Sequence, residues 1–431
     1  MPAPVKQPLR LGLAGLGTVG RGVVGIVQAH ADLIAARAGR AVQIVAVSAR
    51  SQKDRGVDLS GYAWEADAVV LAQRDDVDVF VEVMGGHEGP ARAATEAAIA
   101  AGKDVVTANK ALLAHHGHAL ALAAEAKGAV IRFEAAVAGG IPVIKALTEG
   151  LAGNKMRRVM GVMNGTCNYI LTRMQSAGLP YAEVFEEARA LGYLEADPEL
   201  DVGGIDAGHK LSLLAAIAFG TQVSFDAVEL QGIGAVSIDD IRLAADMNYR
   251  IKLLGVAQVT GRGLEQRMTP CLVPADSPLG QLQGGTNMVV LEGDSVGQIV
   301  LRGPGAGMGP TASAVMADVI DIARGFRLPT FGQPATTLFA AQPARSATPA
   351  SYYLRMTLLD KPGALAKIAT CLGESGVSID QMRQYGHEGA NAPVLIVTHK
   401  AAPDDVAHAM TRFAATGVLV GAPVAIRIEE V

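Results

Sequence analysis

One turn near the start of the chain narrows the choice of fold more than any other stretch. Leu9–Ala14 alternates apolar residues as a strand, and Gly15-Leu16-Gly17-Thr18-Val19-Gly20 then runs into a helix carrying Val23, Val24, Ile26 and Val27. A GxGxxG between strand and helix lets the chain turn tightly, brings backbone N–H groups close to a pyrophosphate and packs the helix on its strand. The anion then meets the N-terminal end of a helix, where unpaired N–H groups and the helix dipole favour negative charge. Gly15, Leu16, Gly17, Thr18, Val19 and Gly20 are therefore read as a dinucleotide-binding turn, and the surrounding chain as a Rossmann-like α/β sheet.

The strands that follow fit that sheet. Val42–Val47 is the second, where an NAD-selective site usually places an acid for the ribose 2′-hydroxyl. Here the strand ends in Ser48-Ala49-Arg50-Ser51, with Lys53 and Arg55 beyond. A basic end without a carboxylate suits a 2′-phosphate, so Arg50 points to NADP over NAD unless it simply faces solvent. Val77–Met84 is another apolar strand, and Gly85-Gly86 opens the next helix at its carboxyl end. Asp104–Thr107 repeats the pattern and delivers Asn109 and Lys110 at its tip. Such tips line the nucleotide crevice, so Gly85 and Lys110 are candidates, Lys110 for either cofactor phosphate or substrate. His115, His116 and His118 lack metal-ligand spacing supported by acids and read as surface residues.

Composition limits what else the chain can be. With 431 residues, 50% of them apolar and only 4% aromatic, it can hold two or three domains around an Ala/Val/Leu/Ile core. The net charge of −5 and the absence of a basic run exclude nucleic acid as a partner. Cys167, Cys271 and Cys371 are scattered without CxxC spacing, which suggests a reducing compartment and neither metal nor disulfide. No stretch is apolar for long enough to span a bilayer, and the N-terminus lacks a leader pattern, so a cytoplasmic protein without membrane contact is expected.

The chemistry concentrates further on. Gly192–Leu211, GYLEADPELDVGGIDAGHKL, gathers Glu195, Asp197, Glu199, Asp201 and Asp206 around Lys210. Pro198, Gly203 and Gly204 should keep its first half out of helix, and a helix should begin near Gly204, placing Asp206 and Lys210 four apart on one face. An ammonium held among carboxylates can give its proton to a developing alkoxide, and spare carboxylates can grip a substrate ammonium; alternatively the stretch is a solvated acidic loop. Upstream, the strand Arg158–Met163 runs into Asn164-Gly165-Thr166-Cys167-Asn168 at a helix start, where Thr166 can meet a substrate carboxylate or carbonyl. Cys167 is either a nucleophile or a buried thiol, and no nearby histidine is present to activate it. Glu134 and the small-residue loop to Pro142 form either a ring of carbonyls for a hard monovalent cation or a tight domain crossover. Gly303-Pro304-Gly305-Ala306-Gly307-Met308-Gly309 precedes the helix Thr311–Arg324, and through Gly307 either closes back over the dinucleotide or serves as a hinge.

The expected organisation is a dinucleotide-binding domain over 1–140, with 303–330 returning to it. A catalytic and dimerisation domain over 141–330, an α+β sheet with helices, precedes a Pro/Ala/Thr/Ser-rich linker over 331–350. Beyond it, strands and helices from Tyr353 to Glu429 read βαββαβ, a ferredoxin-like module over 351–431. Its Asp360-Lys361-Pro362-Gly363 turn puts N–H donors at a helix start, suited to an amino acid.

GLGTVG, TANK, EAAVAGGIP, NGTCNYIL, GYLEADPELDVGGIDAGHKL and GPGAGMGPTASAVMAD together resemble homoserine dehydrogenase, and DKPGALAKIATCLGESGVSI resembles its C-terminal ACT domain. The likeness runs over nearly the whole chain. It implies NAD(P)H-dependent reduction of L-aspartate 4-semialdehyde to L-homoserine on the route to threonine and methionine. By that resemblance Lys210 is the proton donor, Lys110 contacts cofactor and substrate, and Glu195 binds substrate with support from Asp206, Tyr193 and Thr166. Glu134, Val137, Gly139 and Ile141 correspond to a monovalent-cation (Na+ or K+) loop. The ACT module would bind an end product such as threonine, and the protein would be a homodimer or homotetramer.

Overall fold

The computed structural model describes residues 6–194, 197–345, 348–385 and 389–430. The first sheet contains β1 (Leu9–Ala14), β2 (Val42–Ser48), β3 (Ala63–Glu65), β4 (Val79–Glu82), β5 (Asp104–Thr107) and β6 (Ile131–Arg132). All six run parallel in the order β3-β2-β1-β4-β5-β6. Helices cover both faces, so the central strands carry continuous apolar runs in place of an alternating pattern, and Leu11, Leu13, Phe80 and Val81 are fully buried. The order reverses between β1 and β4, and the glycine turn lies at that switch point.

A second sheet is built from β7 (Met156–Val162), β8 (Glu229–Leu230), β9 (Tyr249–Thr260), β10 (Gly263–Pro274), β11 (Thr286–Gly293) and β12 (Gly297–Pro304). The C-terminal module adds β13 (Ser351–Leu359), β14 (Ile379–Gln384), β15 (Asn391–Thr398) and β16 (Leu419–Ile428), with helices Ala364–Glu374 and Pro403–Ala415 on one face. The module is ferredoxin-like, and its sheet is not separate. The combined order is β12-β11-β7-β9-β10-β16-β13-β15-β14, with β8 beside β10. One short parallel seam between β10 and β16 joins the halves, pairing Cys271 with Arg427 and Leu272 with Ile428.

Two segments tie the units together. Helix Met308–Arg324 packs on helix Thr18–Ala29 so closely that a Cβ on Gly22 would lie 2.8 Å from that of Ala312. The segment before β13 lies along the second domain: Gln222 N–H donates to Phe339 O and Leu264 N–H to Gln342 O, both at 2.9 Å, while Ala344 N–H donates to Leu264 O at 3.0 Å. Among the described residues no helix is long and apolar enough to cross a membrane.

The acidic stretch departs from its expected form. Asp197 caps a short helix, Pro198–Val202, by accepting from Glu199 N–H at 3.2 Å. Proline stands there at the first helical position, where its missing N–H costs nothing and its fixed φ is already helical. Gly204, at φ +85°, ends that turn and starts the helix Ile205–Phe219.

Candidate active site

The carboxyl ends of the first sheet face the helix starts of the second domain across a cleft of about 530 Å³. Thr18, Val19, Lys110, Gly139, Thr166, Tyr193, Asp201, Asp206, Lys210 and Gly307 all line it. Residues that sequence reasoning draws from separated motifs therefore share one space.

At its centre Asp206 bridges two lysines. Lys210 Nζ donates to Asp206 Oδ2 at 2.6 Å and to the Met163 carbonyl at 2.8 Å, while Lys110 Nζ lies 3.0 Å from Asp206 Oδ1. The two lysines come from different domains, one from the tip of β5 and one from the helix Ile205–Phe219. Burial alone would raise the Asp206 carboxyl, but the two ammonium groups outweigh it and hold it well below the usual carboxylate range. Lys210 is 8% exposed, and an ammonium has three donors, so two fixed bonds leave one for a ligand in the cleft.

Strand-end polar bonds aim these groups. Thr107 Oγ1 donates to Glu82 Oε2 at 2.6 Å, and Glu82 Oε1 accepts from Met84 N–H at 2.7 Å. Asn109 Nδ2 donates to Gly86 O at 2.7 Å, and its Oδ1 caps the helix Lys110–Ala126 through Leu112 N–H at 3.0 Å. Lys110 thus begins a helix whose first turn is locked to two strand tips. Opposite, Asn164 caps the helix Gly165–Ala177 by accepting from Cys167 N–H at 2.8 Å. Its Nδ2 donates to Asp201 Oδ1 at 2.9 Å and approaches Asp206 Oδ2 at 3.3 Å. Sequence reasoning quotes Asn164 in its motif without giving it a role; its cap position is legible there, its reach to two acids is not.

The remaining substrate-side candidates adjoin this group. Thr166 Oγ1 donates to the Tyr193 carbonyl at 2.9 Å, which ties the start of the acidic stretch to the helix Gly165–Ala177. The Tyr193 ring stacks on Tyr169 at 4.3 Å. Glu195 lies outside the described residues. Cys167 is buried, its thiol donating to the Asp201 carbonyl at 3.3 Å, and burial followed by the charges of Asp201 and Asp206 pushes it well above its usual value. A thiol so placed makes a poor nucleophile.

The dinucleotide turn has the steric properties its motif demands. A Cβ on Gly20 would stand 1.9 Å from the Gly15 carbonyl, and one on Gly15 would stand 2.6 Å from that of Val83. Gly17 faces open space, and as N-cap of helix Thr18–Ala29 it offers no side chain to that helix's free amides. The turn fits an incoming pyrophosphate. Gly85, at φ +83°, follows β4 at the same edge. Arg50 is exposed beyond β2, outside the cleft lining, while Arg55 is pinned to the turn through Leu16 O at 3.0 Å and Ser51 O at 2.8 Å.

In the loop after β6 the Glu134 carboxylate accepts from Ile144 N–H at 3.0 Å and Lys145 N–H at 2.8 Å. Ala138 (φ +56°) and Gly139 (φ +52°) fold the loop back against Gly305. Val137 and Ile141 are buried beneath it. Each Glu134 oxygen keeps a lone pair, so a carboxylate and backbone carbonyls of the kind a hard cation prefers are present.

One neighbour of Lys210 gives a pH-dependent prediction. His209 is buried against the Phe225 ring at 4.2 Å and lies 5.5 Å from His115. Burial first, then the charges of His115, Lys110 and His87, lower it to about 4, with Asp206 opposing. A histidine kept neutral in the fold but titrating near 6.5 when unfolded stabilises the fold at neutral pH, and that contribution is lost as pH falls from about 6.5 towards 4. His209→Gln should therefore flatten the acid side of the stability profile, read as urea midpoints between pH 7 and pH 4.5. A variant curve parallel to wild type contradicts this placement.

The chain matches the homoserine dehydrogenase family over residues 142–320, the NAD-binding domain of homoserine dehydrogenase over 15–134, and the ACT domain over 352–417. It is 43% identical over 401 residues to the homoserine dehydrogenase of Neisseria gonorrhoeae, covering 91% of this chain and 92% of that one. It superposes on a homoserine dehydrogenase from Thiobacillus denitrificans with TM-score 0.93 at 39% identity, covering 99% of both chains. A hyperthermophilic archaeal homoserine dehydrogenase mutant in complex with NADPH aligns with TM-score 0.63 at 27% identity, over 73% of this chain and 97% of that one. With a dinucleotide turn, a two-lysine acid site and an ACT module in one chain, the protein belongs to the homoserine dehydrogenase family of NAD(P)-dependent oxidoreductases.

Proposed function

We propose that the cleft interconverts L-aspartate 4-semialdehyde and L-homoserine, with Lys210 handling the proton. The observation that carries this reading is Asp206 held between Lys110 and Lys210 across the domain boundary, opposite the glycine turn. Bound NAD(P)H supplies the hydride to the aldehyde carbon. Lys210 gives its free N–H to the carbonyl oxygen and protonates the alkoxide as it forms. Asp206 holds and orients that side chain, and Lys110 adds positive charge near the same oxygen. Asp201, with Glu195 beyond the described residues, offers carboxylate to the substrate ammonium, and Thr166 and Tyr193 wall that side.

Finer assignments extend the same reading. The basic end of β2 at Arg50 favours NADP, and the Glu134, Val137, Gly139 and Ile141 loop takes a sodium or potassium ion. The family's place in threonine and methionine synthesis suggests threonine at the ACT turn around Gly363, in a cytoplasmic homodimer or homotetramer. Initial rates with homoserine and NADP or NAD, with and without threonine and with sodium or potassium salts, test these together; absence of homoserine-dependent reduction of either nucleotide sinks the main reading.

A rival reaction on the same metabolite would acylate Cys167 and require phosphate. Its thiol is buried and already bonded to the Asp201 carbonyl. Cys167→Ser should accordingly keep most of the wild-type turnover; loss of about 10²-fold or more would favour the acylating reaction.

A further inference from the structure

A side chain in the middle of the cleft takes no part in the lysine and aspartate cluster. Asn287, near the start of β11, is 1% exposed yet lines the cleft, and its Oδ1 is buried without a donor among the described residues. A buried amide oxygen left unpaired forfeits the hydrogen bonds it made to water, so its retention asks for an explanation. Its position supplies one. Asn287 pairs in register with Gly303, and its amide fills the space that a side chain at Gly305 would need, 2.0 Å from Nδ2. Gly305 in turn presses its carbonyl on Gly139. Two residues before Asn287, Gly285 sets its own carbonyl 2.5 Å from where a Cβ on Gly165 would stand, and faces the Tyr193 ring. The amide therefore stands between the Gly303–Gly307 turn, on the side of Thr18 and Val19, and the Gly165–Thr166 wall beside Lys210. A dinucleotide whose pyrophosphate lies at Gly17 must bring its reacting ring into this interval to face a substrate on Lys210.

We propose that Asn287 binds the carboxamide of the nicotinamide ring. An amide carries one acceptor and two donors, the complement of the ring's own carboxamide, and a half-turn about χ2 lets either end meet the cleft. Turned in this way, Oδ1 accepts from the carboxamide N–H, which fixes the rotation of the ring and the face turned to Lys210. This inference rests on the reductase reading of the cleft.

The test compares NADPH with its 3-acetylpyridine analogue, in which a methyl group replaces the carboxamide NH2. Kd for each is measured by fluorescence titration on wild type, Asn287→Ala and Asn287→Ser. Wild type should bind NADPH about 10-fold more tightly than the analogue; both variants should lose that preference mainly by weakening NADPH. Their ligand-free Tm should stay level or rise, because a partnerless amide has gone. A preference unchanged in the variants overturns the assignment, as does a lowered Tm with both affinities intact, which would make Asn287 structural. A wild-type chain that binds neither nucleotide overturns the reductase reading beneath it.

Discussion

Lys210→Met should lower kcat for homoserine oxidation by at least about 10²-fold, the usual scale of a lost general acid or base, while the fold and nucleotide binding persist. Methionine keeps most of the side chain's apolar volume and removes only its charge and donors. The fold has reason to survive: Asp206 would still face Lys110 at 3.0 Å and the Asn164 amide at 3.3 Å, so no buried carboxylate is left alone. With one of its two cations gone, Asp206 should move up towards the ordinary carboxylate range, and its contribution to stability should fade at a higher pH than in wild type. That contribution is present above the unfolded carboxyl pKa and lost as pH falls through the depressed folded value, so in the variant it should be smaller and fully lost at a higher pH. Turnover, circular dichroism and NADPH affinity measured side by side separate the outcomes. Near-normal turnover with an intact fold removes Lys210 from the chemistry; lost turnover with lost NADPH binding would make it a structural support.

What the sequence discloses follows from how local each signal is. The glycine turn, the Asp206–Lys210 spacing and the βαββαβ order depend on neighbours along the chain, and all three appear in the structure as read. The Pro198–Val202 helix escapes a reading that weighs proline as a breaker, because at a first helical position proline is a starter. Asn164 and Asn287 escape for another reason. Their partners, or the lack of them, arise only when β7, β11 and the acidic helices converge, and no window of residues contains that information. The approach of Lys110 to Asp206 spans two domains, so family resemblance hints at it while residue spacing is silent. Least legible is the continuity of the sheets, because the Pro/Ala/Thr/Ser-rich composition before β13 carries no sign of the backbone bonds it makes.

That continuity leads to the second large effect: Arg267→Met should destabilise the protein by about 3 kcal/mol, the scale of breaking a buried ion pair from one side. Arg267, on β10, donates to Glu265 Oε1 at 3.1 Å and to Glu429 Oε1 at 2.7 Å, the latter just beyond β16. All three residues are buried. Arg427 Nε adds a 2.5 Å bond to Glu429, so that carboxylate gathers cations from both sides of the seam. Only two residue pairs join β10 to β16 through the backbone, so this cluster, together with the Arg355–Asp240 pair and the apolar packing of Tyr353 and Ile426, helps hold the ACT sheet in register. Without Arg267, Glu265 keeps Thr348 and Gln258, but among the described residues the Glu429 carboxylate keeps only Arg427 and Arg158, neither of them on β10. A chain of several domains need not unfold in one step, so the denaturation midpoint is best paired with amide exchange on β16 and β1. Exchange should quicken on β16 and stay level on β1. The consequence reaches the active site because strand alternation turns the next residue, Met268, to the opposite face. There it packs beneath Gly204 and Gly255, at the start of the helix that carries Asp206 and Lys210. An effector on the ACT module that acts through this strand should therefore lose its influence on kcat in Arg267→Met, whereas one acting through contacts between protomers should keep it.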